Sequence, residues 1–149
     1  MKKFEPKLEL SGLNSESEHI RKEIIKELSR FDISQNQSKT YIFLSKSGPK
    51  TASQIAKSLN LPRTETYNIL NQLQSKRIVI ANLTKPIKFE AVAIKNAVEI
   101  LVENERNHID RLIETTSEIL NLWNMLPESV PIDKLLVGNR FQLIQGKNS

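Results

Sequence analysis

Apolar residues recur at helical spacing in the first part of the chain. Ser15 and Glu18 have the spacing of a capping box, which is typical of a helix start. The apolar stripe that follows consists of Ile20, Ile24, Leu28 and Phe31. We therefore expect an amphipathic helix over residues 16–31. Residues 1–14 keep no sustained period and predict a flexible N-terminal arm.

Two shorter helical patterns follow, each with its own start signal. Ser34 and Gln37 have capping-box spacing and are followed by an apolar run. The Gly48-Pro49 pair predicts the end of this helix. Thr51 and Gln54 repeat the same spacing. This second box predicts a short helix that ends near residue 60.

A third short helix follows after a brief turn. Pro62 suits the first turn of a helix, where its missing N–H is not needed, and the pattern extends to about Ser75. Tyr67, Leu70 and Leu73 define its expected core side. Two short helices joined by a turn of a few residues are typical of a helix-turn-helix.

The next segment changes to a β pattern. Residues 78–83 and 88–92 are rich in β-forming side chains, and residues 84–87 contain turn signals. A hairpin directly after a helix-turn-helix is a wing, and its tip carries Lys85 and Lys88.

A single long helix is predicted from about residue 94 to residue 126, without Gly or Pro. Its apolar stripe repeats about every 3.5 residues and needs a partner helix. The candidates are the helix at residues 16–31 and a second copy of the chain, and we favour both together, with dimerisation as the main contact. The predicted dimer interface consists of Val98, Leu101, Val102, Ile109, Leu112, Ile119 and Trp123.

Pro127 ends this helix, and a Gly138-Asn139 pair predicts a hairpin in the tail. The fold class is thus mainly α with a small β wing, a winged helix-turn-helix plus a long coiled-coil dimerisation helix. The predicted organisation is an arm at 1–14, a DNA-binding domain at 15–92, a dimerisation helix at 93–126 and a tail at 127–149.

The charge is distributed unevenly. Residues 33–92 contain nine Lys and Arg but only two acids, a net charge of +7, whereas residues 1–32 are neutral and residues 93–149 carry −2. A basic domain beside an acidic remainder indicates nucleic-acid binding. A merely solvated, lysine-rich surface is the alternative.

The outward side of the third short helix carries groups that can read DNA bases. Amides pair with adenine, Arg pairs with guanine, and Thr bonds a base or contacts a thymine methyl. The candidate set is Arg63, Thr64, Glu65, Asn68, Asn71 and Gln72, with Ser75 beside them. Glu65 either accepts from a cytosine amino group or only complements the positive end of the helix, and the second role is favoured.

Other polar residues are candidates for phosphate contacts, which set affinity and salt dependence rather than sequence choice. Ser53, Lys50, Lys85 and Lys88 complete the predicted DNA-binding set.

Three segments resemble the TrmB-type winged-helix transcription regulators, an archaeal type of regulator. Residues 28–44 are similar to the opening helix, residues 48–56 to the second helix, and residues 61–73 to the recognition helix, with its Pro-Arg-Thr start and Tyr67. The resemblance covers about residues 28–126, since a long helix after the wing also fits. It implies a DNA-binding regulator.

Three departures from the family pattern stand out. Asp32 and the pair Lys76-Arg77 occupy positions where the family usually has Gly. Residues 134–141 resemble only the start of the family's sugar-sensing domain. We therefore expect a short form that lacks sugar binding.

The leading hypothesis is a cytoplasmic, homodimeric, sequence-specific regulator that binds double-stranded DNA and needs no cofactor. The alternative is a winged-helix protein-interaction module with non-specific DNA binding, whose protein partner contacts the long helix or the tail. An enzyme is not expected, because the sequence has no phosphate loop, no cysteine and no closely spaced His pair, only His19 and His108. No metal site, membrane span or secretory signal is predicted.

Overall fold

The described part of the chain contains five α-helices and one two-stranded antiparallel sheet. The computed structural model describes the backbone of residues 4–129 and the side chains of residues 14–129. The elements in chain order are α1 (Phe4–Leu28), a 3-10 turn (Ser29–Phe31), α2 (Gln35–Ser47), α3 (Ala52–Leu59), α4 (Arg63–Ser75), β1 (Val79–Asn82), β2 (Lys88–Ala91) and α5 (Ile94–Met125). The predicted mainly helical fold with a small β wing is confirmed.

The chain divides into two units, Met1–Asn107 and His108–Ser149. The first contains the helices α1 to α4, the sheet and the beginning of α5. The second is described for the rest of α5 and the turn that follows it. The predicted tail hairpin lies outside the described residues.

Helix α1 begins at Phe4, well ahead of the predicted start at Ser15. Pro6 lies in its first turn, where the missing N–H breaks no helical hydrogen bond. Gly12 lies inside the helix, and a mid-helix glycine costs only about 0.5–1 kcal/mol relative to alanine. The helix start predicted at Ser15 was therefore wrong, and residues 4–14 are helical where the pattern predicted an arm.

Both predicted capping boxes after α1 are present. The Ser34 hydroxyl accepts from the Gln37 N–H at 3.1 Å, and the Gln37 side chain accepts from the Ser34 N–H at 3.1 Å. Thr51 and Gln54 make the equivalent pair at 3.2 and 2.9 Å. Gly48 ends α2 with φ of 86°, a conformation that favours glycine.

Two positions where the TrmB-type regulators that the sequence resembles usually have glycine adopt left-handed backbone conformations. Asp32 has φ of 62° and Arg77 has φ of 67°. Each costs on the order of 1 kcal/mol for a residue with a Cβ. Arg77 gains contacts in return, because its guanidinium donates to the Asn104 side chain at 2.9 Å, and that amide donates to the Lys76 carbonyl at 3.0 Å. These contacts fasten the end of α4 to α5.

The hairpin is attached to the helix-turn-helix through the backbone. β1 pairs with β2 from Val79–Ala91 to Asn82–Lys88. Lys50, between α2 and α3, exchanges two backbone hydrogen bonds with Phe89, at 3.1 and 2.7 Å. The segment before α3 therefore extends the small sheet, and this pairing holds the wing beside the helices.

The core of the first unit is formed by apolar side chains from its α-helices, both strands and the segments between them. Its buried apolar residues are Leu28, Ile33, Tyr41, Leu44, Ala52, Ile55, Ile69, Leu70, Leu73, Ile78, Val79, Phe89, Ala97 and Leu101. The Tyr41 hydroxyl donates to the Val92 carbonyl at 2.5 Å. Burial raises the pKa of Tyr41, against a smaller lowering by a hydrogen bond with Ser45.

Candidate nucleic-acid interface

Helix α4 has a buried side that differs from the predicted one by about one residue position. Thr66, Ile69, Leu70 and Leu73 are its buried residues. The Thr66 hydroxyl donates to the Pro62 carbonyl at 2.9 Å, so its methyl can pack in the core without an unpaired polar group. Tyr67 was predicted on the core side but is 42% exposed. That prediction was wrong because Thr66 takes the core position.

The side of α4 opposite its core face is polar and exposed. Thr64, Asn68 and Asn71 are all exposed, and none of them donates or accepts a side-chain hydrogen bond within the described residues. At 100° per residue, all three lie within about 60° of one another. The helix therefore presents a hydroxyl and two amides on one surface.

On the flank of α4 that faces α2, two polar side chains form hydrogen bonds with α2. The Asn36 amide donates to the Glu65 carboxylate at 2.9 Å, and the Gln37 amide donates to the Gln72 side chain. Gln37 is held in place by its capping box, so a local start signal also connects two helices. Sequence reasoning grouped Glu65 and Gln72 with the outward residues, but their polar atoms bind α2. Glu65 also lies in the first turn of α4, as its favoured role required.

The other flank of α4 borders a cleft of about 390 Å³ beside the wing. Its lining residues are Thr51, Ala52, Ser53, Arg63, Tyr67, Pro86, Ile87 and Phe89. The cleft brings Ser53 and Arg63, both predicted, onto one surface with the wing. Tyr67, Pro86 and Ile87 were not predicted there. The exposed side of Tyr67 follows from its position next to a buried Thr66, a signal present in the sequence.

The predicted cationic side chains differ in their exposure and in the contacts that they make. Lys85, between the strands, and Lys88, at the start of β2, are both exposed. Lys50 is half-buried and its ammonium donates to the Ser47 carbonyl at 3.0 Å. Among the cations of residues 33–92, Arg77 alone has an ion pair with a carboxylate of the described part, Glu103 at 3.4 Å. The positive charge around α4 and the wing is therefore almost unneutralised.

The hairpin also exposes apolar side chains that sequence reasoning did not single out. Leu83 is 78% exposed, Ile80 54% and Ile87 47%.

Six of the seven residues predicted for a dimer interface have exposed side chains on α5. In the first unit these are Val98 and Val102, and in the second they are Ile109, Leu112, Ile119 and Trp123. Leu101 is only 3% exposed because it packs in the core of the first unit. Its assignment to the interface was wrong, since the start of α5 also closes the winged-helix core.

The described residues contain no cluster of three or more His, Cys, Asp or Glu side chains arranged to hold a metal ion. No helix among them has both the length and the apolar character to cross a membrane.

Comparisons with known proteins give the same fold. A family model described as "Sugar-specific transcriptional regulator TrmB" matches residues 28–95. The chain is 27% identical over 100 residues, 67% of its length, to the "HTH-type sugar sensing transcriptional regulator TrmBL1" of Pyrococcus furiosus. The match covers 29% of that protein, so the chain spans about three tenths of its relative's length.

Two solved structures are similar. TrmBL2, described as an archaeal chromatin protein with a novel mode of DNA binding, superposes with a TM-score of 0.58 at 21% identity, over 73% of this chain and 44% of that one. The transcriptional regulator Tm0710 of Thermotoga maritima gives a TM-score of 0.48 at 15% identity, over 78% and 90% of the two chains.

Proposed function

We propose that this protein is a TrmB-type transcription regulator that binds double-stranded DNA sequence-specifically as a homodimer. A model of that family matches residues 28–95. The relatives named above are DNA-binding or regulatory proteins by description. The proposal assigns α4 to the major groove, where the second helix of a helix-turn-helix pair reads bases.

The exposed amide and hydroxyl face of α4 is the observation that carries this proposal. Asn68 and Asn71 can pair with adenine, and Thr64 can bond a base edge or contact a thymine methyl. Solvated helix surfaces favour Glu and Lys, which have higher helix propensity than Asn and Thr. The composition of this face therefore fits base reading better than simple solvation.

The charges around α4 support DNA as the partner. Arg63 lies at the wing-side flank of α4, Lys85 between the strands and Lys88 at the start of β2, and none of them has an ion pair within the described residues. Lysines of this kind neutralise phosphates and set the salt dependence. Arg63 is long enough to reach either a guanine or a phosphate.

Homodimerisation is proposed from the apolar stripe of α5. Ile109, Leu112, Ile119 and Trp123 are each about half exposed or more. A run of large apolar side chains at this spacing is typical of a helix that pairs with another helix. A two-fold dimer would bind two half-sites about one helical turn of DNA apart, or a multiple of it.

The DNA part of the proposal is tested by selecting bound duplexes from a random pool and measuring affinity by fluorescence anisotropy at two salt concentrations. We expect one motif, bound at least about 100-fold more tightly than scrambled duplex. Arg63→Ala should weaken binding by about 1–3 kcal/mol, whereas Arg111→Ala on α5 should not. A pool that returns no motif would leave the protein-interaction module as the better hypothesis.

The dimer part is tested separately by sedimentation equilibrium. Leu112→Asp should convert a dimer into a monomer, because it places a charge in an apolar helix pair. Leu122→Asp is the matched control and should leave the dimer intact, because Leu122 lies about 100° round the helix from Trp123. A monomeric wild-type protein would contradict the homodimer.

A further inference from the structure

The segment between β1 and β2, residues 83–87, combines turn residues with two exposed apolar side chains. We call it the wing tip. It consists of Leu83, Thr84, Lys85, Pro86 and Ile87. Exposed turns generally contain Gly, Pro, Asn, Asp and Ser, and Pro86 fits this pattern whereas Leu83 and Ile87 do not. Here Leu83 is 78% exposed and Ile87 47% exposed, so two branched apolar side chains face water.

The charge of the wing tip restricts what can cover these apolar groups. Lys85 lies between Leu83 and Ile87 in sequence, and Lys88 follows them. The wing tip contains no acidic residue, and neither lysine has an ion pair within residues 4–129. An apolar side chain flanked by free cations is complementary to a surface that is polyanionic at its edges and apolar at depth. A DNA groove has this character where a base step opens, because phosphates line its rims and the apolar faces of the bases lie between the steps.

The position of the wing tip points to the minor groove. Pro86 and Ile87 line the same cleft as Arg63 and Tyr67, so the wing tip is continuous with the wing-side flank of α4. Major and minor grooves alternate along a duplex, so a hairpin beside a helix in the major groove meets the neighbouring minor groove. Leucine, isoleucine and proline are among the residues that minor-groove binders insert between base steps.

We propose that Leu83 inserts into the DNA minor groove next to the major groove bound by α4, as an apolar wedge that unstacks one base step and bends the duplex. Lys85 and Lys88 bind the phosphates on either side of the wedge. This inference rests on the proposed DNA-binding function. Because pyrimidine–purine steps such as TA and CA unstack most easily, the wedge adds a preference for such a step outside the bases that α4 reads.

The test uses the chain of residues 1–149 and a selected duplex. The duplex carries 2-aminopurine at the flanking step and a donor–acceptor dye pair at its ends. Wild-type protein should raise the 2-aminopurine fluorescence and shorten the end-to-end distance. Leu83→Ser should lose both signals and bind about 3- to 30-fold more weakly, because the lost apolar burial is partly offset by the unstacking no longer required.

Two control variants separate the wedge from other roles of the hairpin. Ile80→Ser changes an exposed apolar residue on β1, outside the wing tip, and should keep both signals. Lys85→Ala should reduce affinity and salt dependence but keep the bend. Unchanged thermal unfolding of Leu83→Ser would establish that the variant is folded, as expected for so exposed a side chain.

The outcomes distinguish this inference from the proposed function. If wild-type protein selects a motif but leaves 2-aminopurine quenched, or if Leu83→Ser bends DNA as well as wild type, the wedge is overturned and sequence-specific binding stands. If no motif is selected, the proposed function fails, and the same fluorescence signals on any bound TA-containing duplex still decide about the wedge. Binding of Leu83 to a protein instead of DNA would appear as unchanged DNA affinity in Leu83→Ser, which also overturns it.

Discussion

Helices α4 and α5 differ in which of their faces is exposed. In α4 the apolar residues Ile69, Leu70 and Leu73 are buried, and the exposed side carries amides and a hydroxyl. In α5 only Ala97 and Leu101 are buried, and a long apolar stripe is exposed up to Trp123. Both helices are amphipathic in sequence, but only α4 has its apolar face satisfied by its own domain.

This difference indicates two kinds of partner. A polar exposed face beside unpaired cations fits a polar, negatively charged surface such as DNA. An apolar exposed stripe gains free energy only where another apolar surface removes it from water, by about 25 cal/mol for each Å² buried. The winged-helix domain is thus suited to recognition and α5 to association with protein.

The largest expected effect is the loss of unfolding free energy when a leucine of α4, rather than one of α5, is replaced by alanine. Leu70 is fully buried and Leu112 is 48% exposed. Leu70→Ala should reduce the free energy of unfolding by about 2–5 kcal/mol at every protein concentration, because it leaves a core cavity. Leu112→Ala should act through the dimer, with an effect that changes with concentration. Urea unfolding at two protein concentrations checks both predictions. Equal losses of unfolding free energy that do not change with protein concentration would contradict the difference between α4 and α5.

A smaller effect is expected from the same amide deletion on each helix. Asn68 and Asn124 are both exposed. Asn68→Ala should weaken binding to a selected duplex by about 1–3 kcal/mol and relax specificity at one base, since the lost amide would pair with adenine. Asn124→Ala should leave anisotropy titrations unchanged. If both variants bind like wild type, base reading by this face of α4 is contradicted.

Tyr41 connects α2 to the chain just before α5, through the Val92 carbonyl. Tyr41→Phe should cost about 1–2 kcal/mol, because the part-buried Val92 carbonyl loses its donor. Since burial raises the pKa of Tyr41 above 10.0, the unfolded chain loses this proton first as the pH rises. The stability that Tyr41 contributes is therefore complete below about pH 10 and falls above it.

This dependence is measured as the difference in urea midpoint between wild type and Tyr41→Phe at about pH 8 and pH 10.5. The difference should shrink at the higher pH. Comparing the two proteins removes the lysine titrations that both share. A difference that stays constant would exclude a raised pKa of Tyr41.

The smallest effect concerns the backbone. Asp32 has φ of 62°, a conformation that glycine adopts without strain. Asp32→Gly should therefore stabilise the domain by up to about 1 kcal/mol in thermal unfolding. Asp110→Gly is the matched control, and it should destabilise slightly because Asp110 lies inside α5. Destabilisation by both variants would show that the Asp32 side chain contributes more than its strain costs.

Local signals account for the elements that were predicted correctly. Capping boxes at Ser34 and Thr51, the Gly48 stop and the β pattern around residues 84–87 each act within a few residues, so the sequence contains the whole interaction. The family resemblance rests on the same segments. The start of α1 was missed because Pro6 and Gly12 are usually signals of a break, yet both are tolerated where they lie.

The orientation of individual side chains depended on neighbours far away in sequence. Glu65 and Gln72 belong to the outward half of α4 by periodicity, but Asn36 and Gln37, about thirty residues earlier, bind them. Leu101 belongs to the apolar stripe of α5 by spacing, but the winged-helix core buries it.

Periodicity, capping and turn chemistry are short-range properties of the chain. The sequence alone therefore accounts for helices α2 to α5, the wing, the concentration of positive charge and the resemblance to the TrmB-type regulators. Three other features follow from packing in three dimensions: one flank of α4 binds α2, Tyr67 borders a cleft with the wing, and Leu83 is exposed at the wing tip. These features depend on which elements pack together, and a single helical or β period contains no information about the partner that fills each face.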